Sequence, residues 1–279
     1  MLVKQQKDAC FCNIGQLLSA SGGRAARGMA RNLQAQPVSL KIRPLSCVAV
    51  IGYIRFAMRG IFCTKEVSSG IDGKAFSVRA LLHKELQGCN VYTLDQVHSD
   101  RIVFAEDITP GEIPEADAII SRNVNDVLCV RTADCVPVLA WAEDVPLIAA
   151  IHAGWRGLAL NIVEQCITAM RSLGSKTIRA SIGPAIGKCC YVVQSDVIEA
   201  LRVEPSVNGQ GFLVVDLWEA AACGLERAGV GRSSIEIKGV CTSCDTDRFF
   251  SYRRQGEKAG RNISAIGGRS WSLPGLQVG

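Results

Sequence analysis

Apolar runs too short for helices crowd the first half of this chain, and they limit what it can fold into more than any single residue does. Eight of them, Val48–Ile51, Gly60–Thr64, Asn90–Val97, Arg101–Phe104, Asp117–Ile120, Val127–Thr132, Val136–Trp141 and Leu147–Ile151, read as strands, with one helical pattern, Val78–Gln87, among them. Helix-length patterns come mainly afterwards. Leu158–Ser172 carries apolar residues at 158, 160, 162, 163, 166, 167 and 170 and closes at Gly174, and Leu217–Ala228 repeats that design before Gly229. Asp196–Arg202 is a further helix, and Arg179–Ile182, Phe212–Val215 and Ser234–Gly239 are further strands. Strands in succession ahead of the helices imply an α+β protein, not a doubly wound parallel sheet. Neither GxGxxG nor GxxxxGK with Ser or Thr occurs, so no dinucleotide fold or P-loop is indicated.

With 279 residues, 48% of them hydrophobic and 20% charged, the chain can bury an ordinary core. Its net charge of +5 sits in residues 1–45, which hold seven Lys or Arg and one acid, Asp8, whereas 46–279 hold 24 basic and 25 acidic residues. A basic groove for nucleic acid is therefore unsupported. Residues 1–45, rich in Arg, Ser, Gly and Ala, read as a poorly ordered or non-native extension, and 46–279 as a single domain. Thirteen cysteines, an odd number without a secretory signal, fit a reducing cytoplasm better than a disulfide framework. The CxxC of Cys241 and Cys244 has no second CxxC to complete a four-thiolate zinc site. No apolar run reaches the roughly 18 residues of a membrane span.

Three short blocks place metal-binding side chains at strand ends or loops: 96-QVHSD-100, 132-TADC-135 and 152-HAGWRG-157. The imidazoles of His98 and His152 and the thiolate of Cys135 form a donor set suited to Zn²⁺, and three protein ligands leave a fourth position open, as in a catalytic site. A histidine at a strand end is more often a hydrogen-bonded core or surface residue, and a lone buried cysteine is usually inert packing. The spacing 98, 135, 152 is no local pattern of the HExxH kind, so the residues alone leave both readings open. His83, inside a helical pattern beside Lys84 and Glu85, reads as exposed and structural.

Together with 116-ADAIIS-121, 182-IGPAIGKCCYVV-193 and 249-FFSYRR-254, these blocks resemble the YfiH-like family, once described as laccase-like polyphenol oxidases, in order from about Gly60 to Ala265. The resemblance implies a mixed α/β sandwich, a cytoplasmic protein without a nucleotide cofactor, and one zinc ion held by His98, Cys135 and His152. It further implies a purine nucleoside phosphorylase, splitting adenosine, inosine, guanosine or methylthioadenosine with phosphate, that also deaminates adenosine. Asp134, beside the Cys135 ligand, is then the candidate proton carrier, or a group that orients a ligand. Arg156 and Arg253 are the candidate catalytic guanidiniums for phosphate, although either reads equally well as half of a surface ion pair. Trp155, Cys190 and Tyr191 are candidate substrate contacts, with Phe249 and Phe250 as further aromatic candidates; all four aromatics are as readily core. Cys189 and Cys190 are poor nucleophiles, for no spare histidine stands ready to activate them. The expected partners are a purine nucleoside and phosphate, with neither nucleic acid nor membrane, in a monomer or weak homodimer.

The chain also departs from that family pattern. In 58-MRGIFCTKEVSSGIDGK-74, Arg59 stands where a histidine is usual, the SLN and Asn-Arg positions after Ser69 are missing, and Val192 replaces a common glutamate. Three alternatives stay open: a zinc amidase acting on peptidoglycan precursors, an activity the family resemblance also implies; a copper polyphenol oxidase, as the older family name suggests; and a non-catalytic binding protein, which the missing SLN segment favours. Three histidines in the whole chain argue strongly against the several copper ions of a true laccase.

Overall fold

A computed structural model describes residues 50–51, 59–63, 89–123 and 126–267. The expected helix Val78–Gln87 with His83, the extension 1–45 and the segment after Ser69 lie outside these residues. Within them, thirteen strands form two main sheets and a ribbon. The five-stranded sheet has the order β1 (Val50–Ile51), β2 (Arg59–Cys63), β13 (Asn262–Gly267), β6 (Asp126–Thr132) and β3 (Asn90–Tyr92). The six-stranded sheet runs β12 (Ile235–Ile237), β9 (Ile178–Ile182), β7 (Val136–Ala142), β8 (Ile148–Ala153), β5 (Ala118–Ser121) and β4 (Ile102–Phe104). β10 (Ser206–Val207) and β11 (Leu213–Val214) pair as the ribbon.

Pairing is antiparallel through the middle of the six-stranded sheet and parallel only at its flanks, β12 with β9 and β4 with β5. Of the antiparallel pairs only β7 and β8 are joined by a short turn, whereas β5 with β8 and β7 with β9 meet across intervening elements. Alternation then sorts the side chains. On β7, Val136, Val138 and Ala140 face one core while Leu139 and Trp141 face another. The first core receives helices α2 (Ile162–Ser172) and α4 (Leu217–Arg227), through Val163, Cys166, Ile167, Met170, Ala221 and Leu225. The second lies between the sheets, where Leu128, Val130 and Ile266 meet Ile119, Leu139 and Ile148. Each such buried aliphatic side chain contributes about 1.5–3 kcal/mol. The result is helices on one face of the six-stranded sheet and the five-stranded sheet on the other, a mixed α/β sandwich.

Three elements differ from the sequence reading. The pattern Leu158–Ser172 is two helices, α1 (Trp155–Ala159) and α2, because Asn161 takes the left-handed conformation at φ 62°, ψ 33° between them. Asparagine enters that region at low cost, and its side-chain oxygen accepts a 3.3 Å hydrogen bond from Arg227 Nη2 on α4. The strand expected over Asn90–Val97 ends at Tyr92, since the backbone N–H groups of residues 97–99 are taken by a side chain instead of a neighbouring strand. Finally, β13 lies between β2 and β6 although its sequence, NISAIG, holds only two large apolar residues. The remaining α-helices are α3 (Ser195–Leu201) and α5 (Tyr252–Gln255), and single 3₁₀ turns lie at Ala105–Asp107, Arg232–Ser234 and Gly256–Lys258. None of the described helices is long and apolar enough to cross a membrane.

Candidate metal centre

His98, Cys135 and His152 come from three separate segments: the loop after β3, the β6–β7 turn and the last turn of β8 before α1. Their ligand atoms all lie within 4.8 Å of one another. His98 Nε2 stands 3.7 Å from Cys135 Sγ, and the two imidazoles meet edge to face with centroids 4.8 Å apart. Gly154 makes this approach possible, because a Cβ there would sit 2.9 Å from His98 Cδ2 and 3.2 Å from Cys135 Sγ. Two nitrogens and one sulfur converging this closely fit a borderline-soft divalent ion with an open fourth position.

One buried carboxylate organises both histidines. Asp117, 0% exposed on its own strand edge, accepts 2.7 Å hydrogen bonds from His152 Nδ1, Ser99 N and Ser99 Oγ. It also accepts from His98 N at 3.0 Å and Val97 N at 3.3 Å. With Nδ1 of His152 engaged, Nε2 is the nitrogen left for a metal. His98 is held at φ 63°, a left-handed conformation that the surrounding hydrogen bonds stabilise. Gln96 secures the same loop from the other side, donating to Arg131 O at 2.7 Å and accepting from Arg131 N at 2.8 Å.

The electrostatics follow from these contacts. Burial disfavours the Asp117 carboxylate, but the hydrogen bonds from His152 and Ser99 outweigh it and hold the group at about 2. Burial likewise pushes the Cys135 thiol up, yet the charge and hydrogen bonds of His152, aided by His98, bring it down to about 6. His152 is raised to about 9, the Cys135 thiolate and Asp117 overcoming the cost of its burial. The shifts of Cys135 and His152 both favour a thiolate beside an imidazolium.

The ligands line a cavity of about 630 Å³ that also exposes four arginines, Arg131, Arg156, Arg253 and Arg261, and the aromatic rings of Trp155, Tyr191 and Tyr252. Arg156 stacks on Trp155 at 4.4 Å and Arg253 on Tyr191 at 5.2 Å. Burial, with the nearby Cys135 thiolate, pushes the Tyr191 hydroxyl up to about 12 against the pull of Arg253 and Arg156. Burial and the charge of Arg261 lower the pKa of Arg131 against the pull of Asp95.

Asp134 lines the cavity, but its carboxylate is engaged elsewhere. It accepts from Thr242 Oγ1 at 2.7 Å, Ser251 Oγ at 3.0 Å and the Arg253 backbone N–H at 2.6 Å, which makes it an anchor for the start of α5. Cys190, expected to touch substrate, is not among the lining residues; its thiol lies 3.4 Å from Cys244 Sγ. Phe249, 1% exposed, and Phe250 belong to the buried interior. Sequence reasoning missed Asp117, Gln96, Arg131 and Arg261. Asp117 and Gln96 stand inside the quoted blocks ADAIIS and QVHSD, and an aspartate starting an otherwise apolar strand is the signal that singles out the first.

Over 180 residues the chain is 38% identical to a purine nucleoside phosphorylase of Xylella fastidiosa, covering 60% of this chain and 68% of that one. It is 37% identical over 161 residues to a purine nucleoside phosphorylase of Bacteroides thetaiotaomicron, covering 54% and 60% of the two chains. Among solved structures, the Bacillus licheniformis protein YfiH superposes with a TM-score of 0.65 at 29% identity, over 75% of this chain and 92% of that one. A Neisseria meningitidis protein does so with a TM-score of 0.67 at 30% identity, over 79% and 98%. Residues 75–269 match the model of the family described as multi-copper polyphenol oxidoreductase laccase, and on that match the chain belongs to this family.

Proposed function

We propose that the protein is a zinc-dependent purine nucleoside phosphorylase with adenosine deaminase activity. The observation that carries this reading is that one cavity of about 630 Å³ presents the N, N, S donor cluster, four guanidiniums and three aromatic rings. The family's curated relatives named purine nucleoside phosphorylase support it. His98, Cys135 and His152 would hold the ion, which when bound supplies a Lewis acid or an ionised water at neutral pH. The older copper name fits less well, since a chain with three histidines offers too few imidazoles for several coppers.

In phosphorolysis, a phosphate oxygen attacks C1′ of the ribose, the bond from C1′ to N9 breaks, and the purine leaves with a proton. The nucleophile carries the negative charge, so the chain's task is to fix and neutralise it. Arg131, Arg156, Arg253 and Arg261, all of which line the cavity, would bind it. Trp155 and Tyr191, each already stacked by an arginine, offer flat faces to the purine. Asp134 acts as a positioning residue, since its carboxylate fixes the backbone from which Arg253 projects. Deamination replaces the amino group at C6 by oxygen from water and releases ammonia, on the same bound purine.

The test is purified, zinc-loaded protein incubated with adenosine and phosphate. Adenine with ribose 1-phosphate, and inosine as a second product, are expected; absence of all three from a protein with its zinc in place refutes the proposal.

A further inference from the structure

Cys241 and Cys244 form a CxxC that lacks a second CxxC in the sequence, but folding brings it the adjacent pair Cys189 and Cys190. All four sulfurs lie within 4.8 Å of one another. Cys244 Sγ is 3.5 Å from Cys189 Sγ and 3.4 Å from Cys190 Sγ. Four sulfurs at about 2.3 Å from a tetrahedral zinc ion are about 3.8 Å apart, whereas a disulfide needs about 2.05 Å. The observed spacings lie far nearer the first value than the second, and none of the four cysteines is in a disulfide. We propose that Cys189, Cys190, Cys241 and Cys244 form a second, structural zinc site.

The backbone is built around the cluster. Gly187 N donates to Cys241 Sγ at 3.2 Å, the kind of N–H to sulfur bond that steadies a metal thiolate. Ala185 and Cys241 form a parallel bridge, and Thr242 N donates to Ala185 O at 2.9 Å, so the two cysteine-bearing loops start side by side. Cys241 is shifted strongly towards its thiolate by the thiols of Cys189 and Cys190, which donate to it. Cys190 and Cys241 touch the hydrophobic core, but Cys189 and Cys244 are exposed, and packing gives their sulfurs no reason to gather. A soft divalent ion supplies one.

The site has a structural consequence for the cavity. Cys190 precedes Tyr191, and its carbonyl, with that of Val192, accepts from Arg253 Nη1 at 3.3 and 2.9 Å. Thr242, next to Cys241, holds Asp134. Zinc binding at the four cysteines would therefore clamp the loops that present Tyr191 and Arg253.

Metal analysis of the full-length protein, purified under reducing conditions, tests the proposal independently of any catalytic reading. Two zinc ions per chain are expected, falling to one in Cys241→Ser/Cys244→Ser and to one in His98→Ala/His152→Ala. Because either variant can fail to fold, native mass spectrometry of the unmodified chain provides a second readout, with two zinc masses expected. Cobalt loaded in place of zinc should give thiolate charge-transfer absorption of a four-sulfur site, which Cys244→Ser abolishes. A zinc content that Cys241→Ser/Cys244→Ser leaves unchanged, iron in place of zinc, or a mass two hydrogens lower from a disulfide between these cysteines would each overturn it.

Discussion

At the scale of single residues, the candidate centre depends on one side chain that is absent and one that is buried. Gly154 has φ −70°, which alanine adopts freely, so Gly154→Ala tests space and not backbone strain. Its new methyl would meet the His98 ring and the Cys135 sulfur. Metal affinity is expected to fall about tenfold or more, while the metal-free protein loses less than about 1 kcal/mol, since the exposed His98 ring can swing away. Isothermal titration with zinc reads the first and chemical denaturation the second; unchanged affinity would show that the ring is not where the ion needs it. Asp117 is the buried counterpart. Asp117→Asn leaves a shape of similar size but removes the charge on which His152 and the 97–99 backbone converge, and a 10–100-fold loss of metal affinity is expected. Its pH signature has a definite sign. The folded value of about 2 lies below the ordinary 3.8, so ionised Asp117 stabilises the fold above pH 4 and this contribution disappears as pH falls towards 2. It amounts to about 2 kcal/mol. With chelator present throughout, the difference in stability between the native chain and Asp117→Asn should shrink over that window; a constant difference would contradict the assignment.

At the scale of elements, the junction that carries His152 is β8, then α1, then α2, and it turns twice. Asn161 supplies the second turn from the left-handed region, where a β-branched residue costs roughly 1–2 kcal/mol. Asn161→Gly should therefore melt close to the unmodified protein, whereas Asn161→Val should lose about that amount, as read by thermal denaturation; equal melting of the two would mean the turn does not constrain the helices. This junction also marks where the sequence was readable and where it was not. The apolar stripe at 158 to 170 correctly predicts helix, because periodicity is a local property. The break at Asn161 escapes it, because an asparagine inside a helical stripe betrays its φ only through its partner Arg227 on another helix. The same limit applies to 249-FFSYRR-254. Arg253 faces the cavity while Arg254 binds the carbonyls of Thr242, Ser243 and Phe249, and two adjacent arginines look alike until the neighbouring loops are in place.

At the scale of the molecule, the candidate ligands were legible by chemical type and the shell around them was not. Histidine and cysteine are rare enough at strand ends to be noticed, whereas Arg131 and Arg261 acquire meaning only when β6 pairs with β13, an antiparallel register that juxtaposes residues 130 positions apart. The four-cysteine cluster shows the same thing more sharply, for half of it reads as an orphan CxxC until the fold supplies the rest. Because His98, Cys135 and His152 come from three segments far apart in sequence, an ion they share binds the folded chain and not the unfolded one. Zinc should then stabilise the whole domain by mass action, about 2.7 kcal/mol at a hundredfold excess over its dissociation constant. For a domain of this size each kcal/mol raises the melting temperature by roughly 2–4 °C, so a rise of about 5–11 °C is expected. Measured in the Cys244→Ser background, the rise reports the histidine-containing site alone. It should grow with the logarithm of free zinc and vanish in His152→Ala, and a rise that survives that substitution would place the stabilising ion somewhere else.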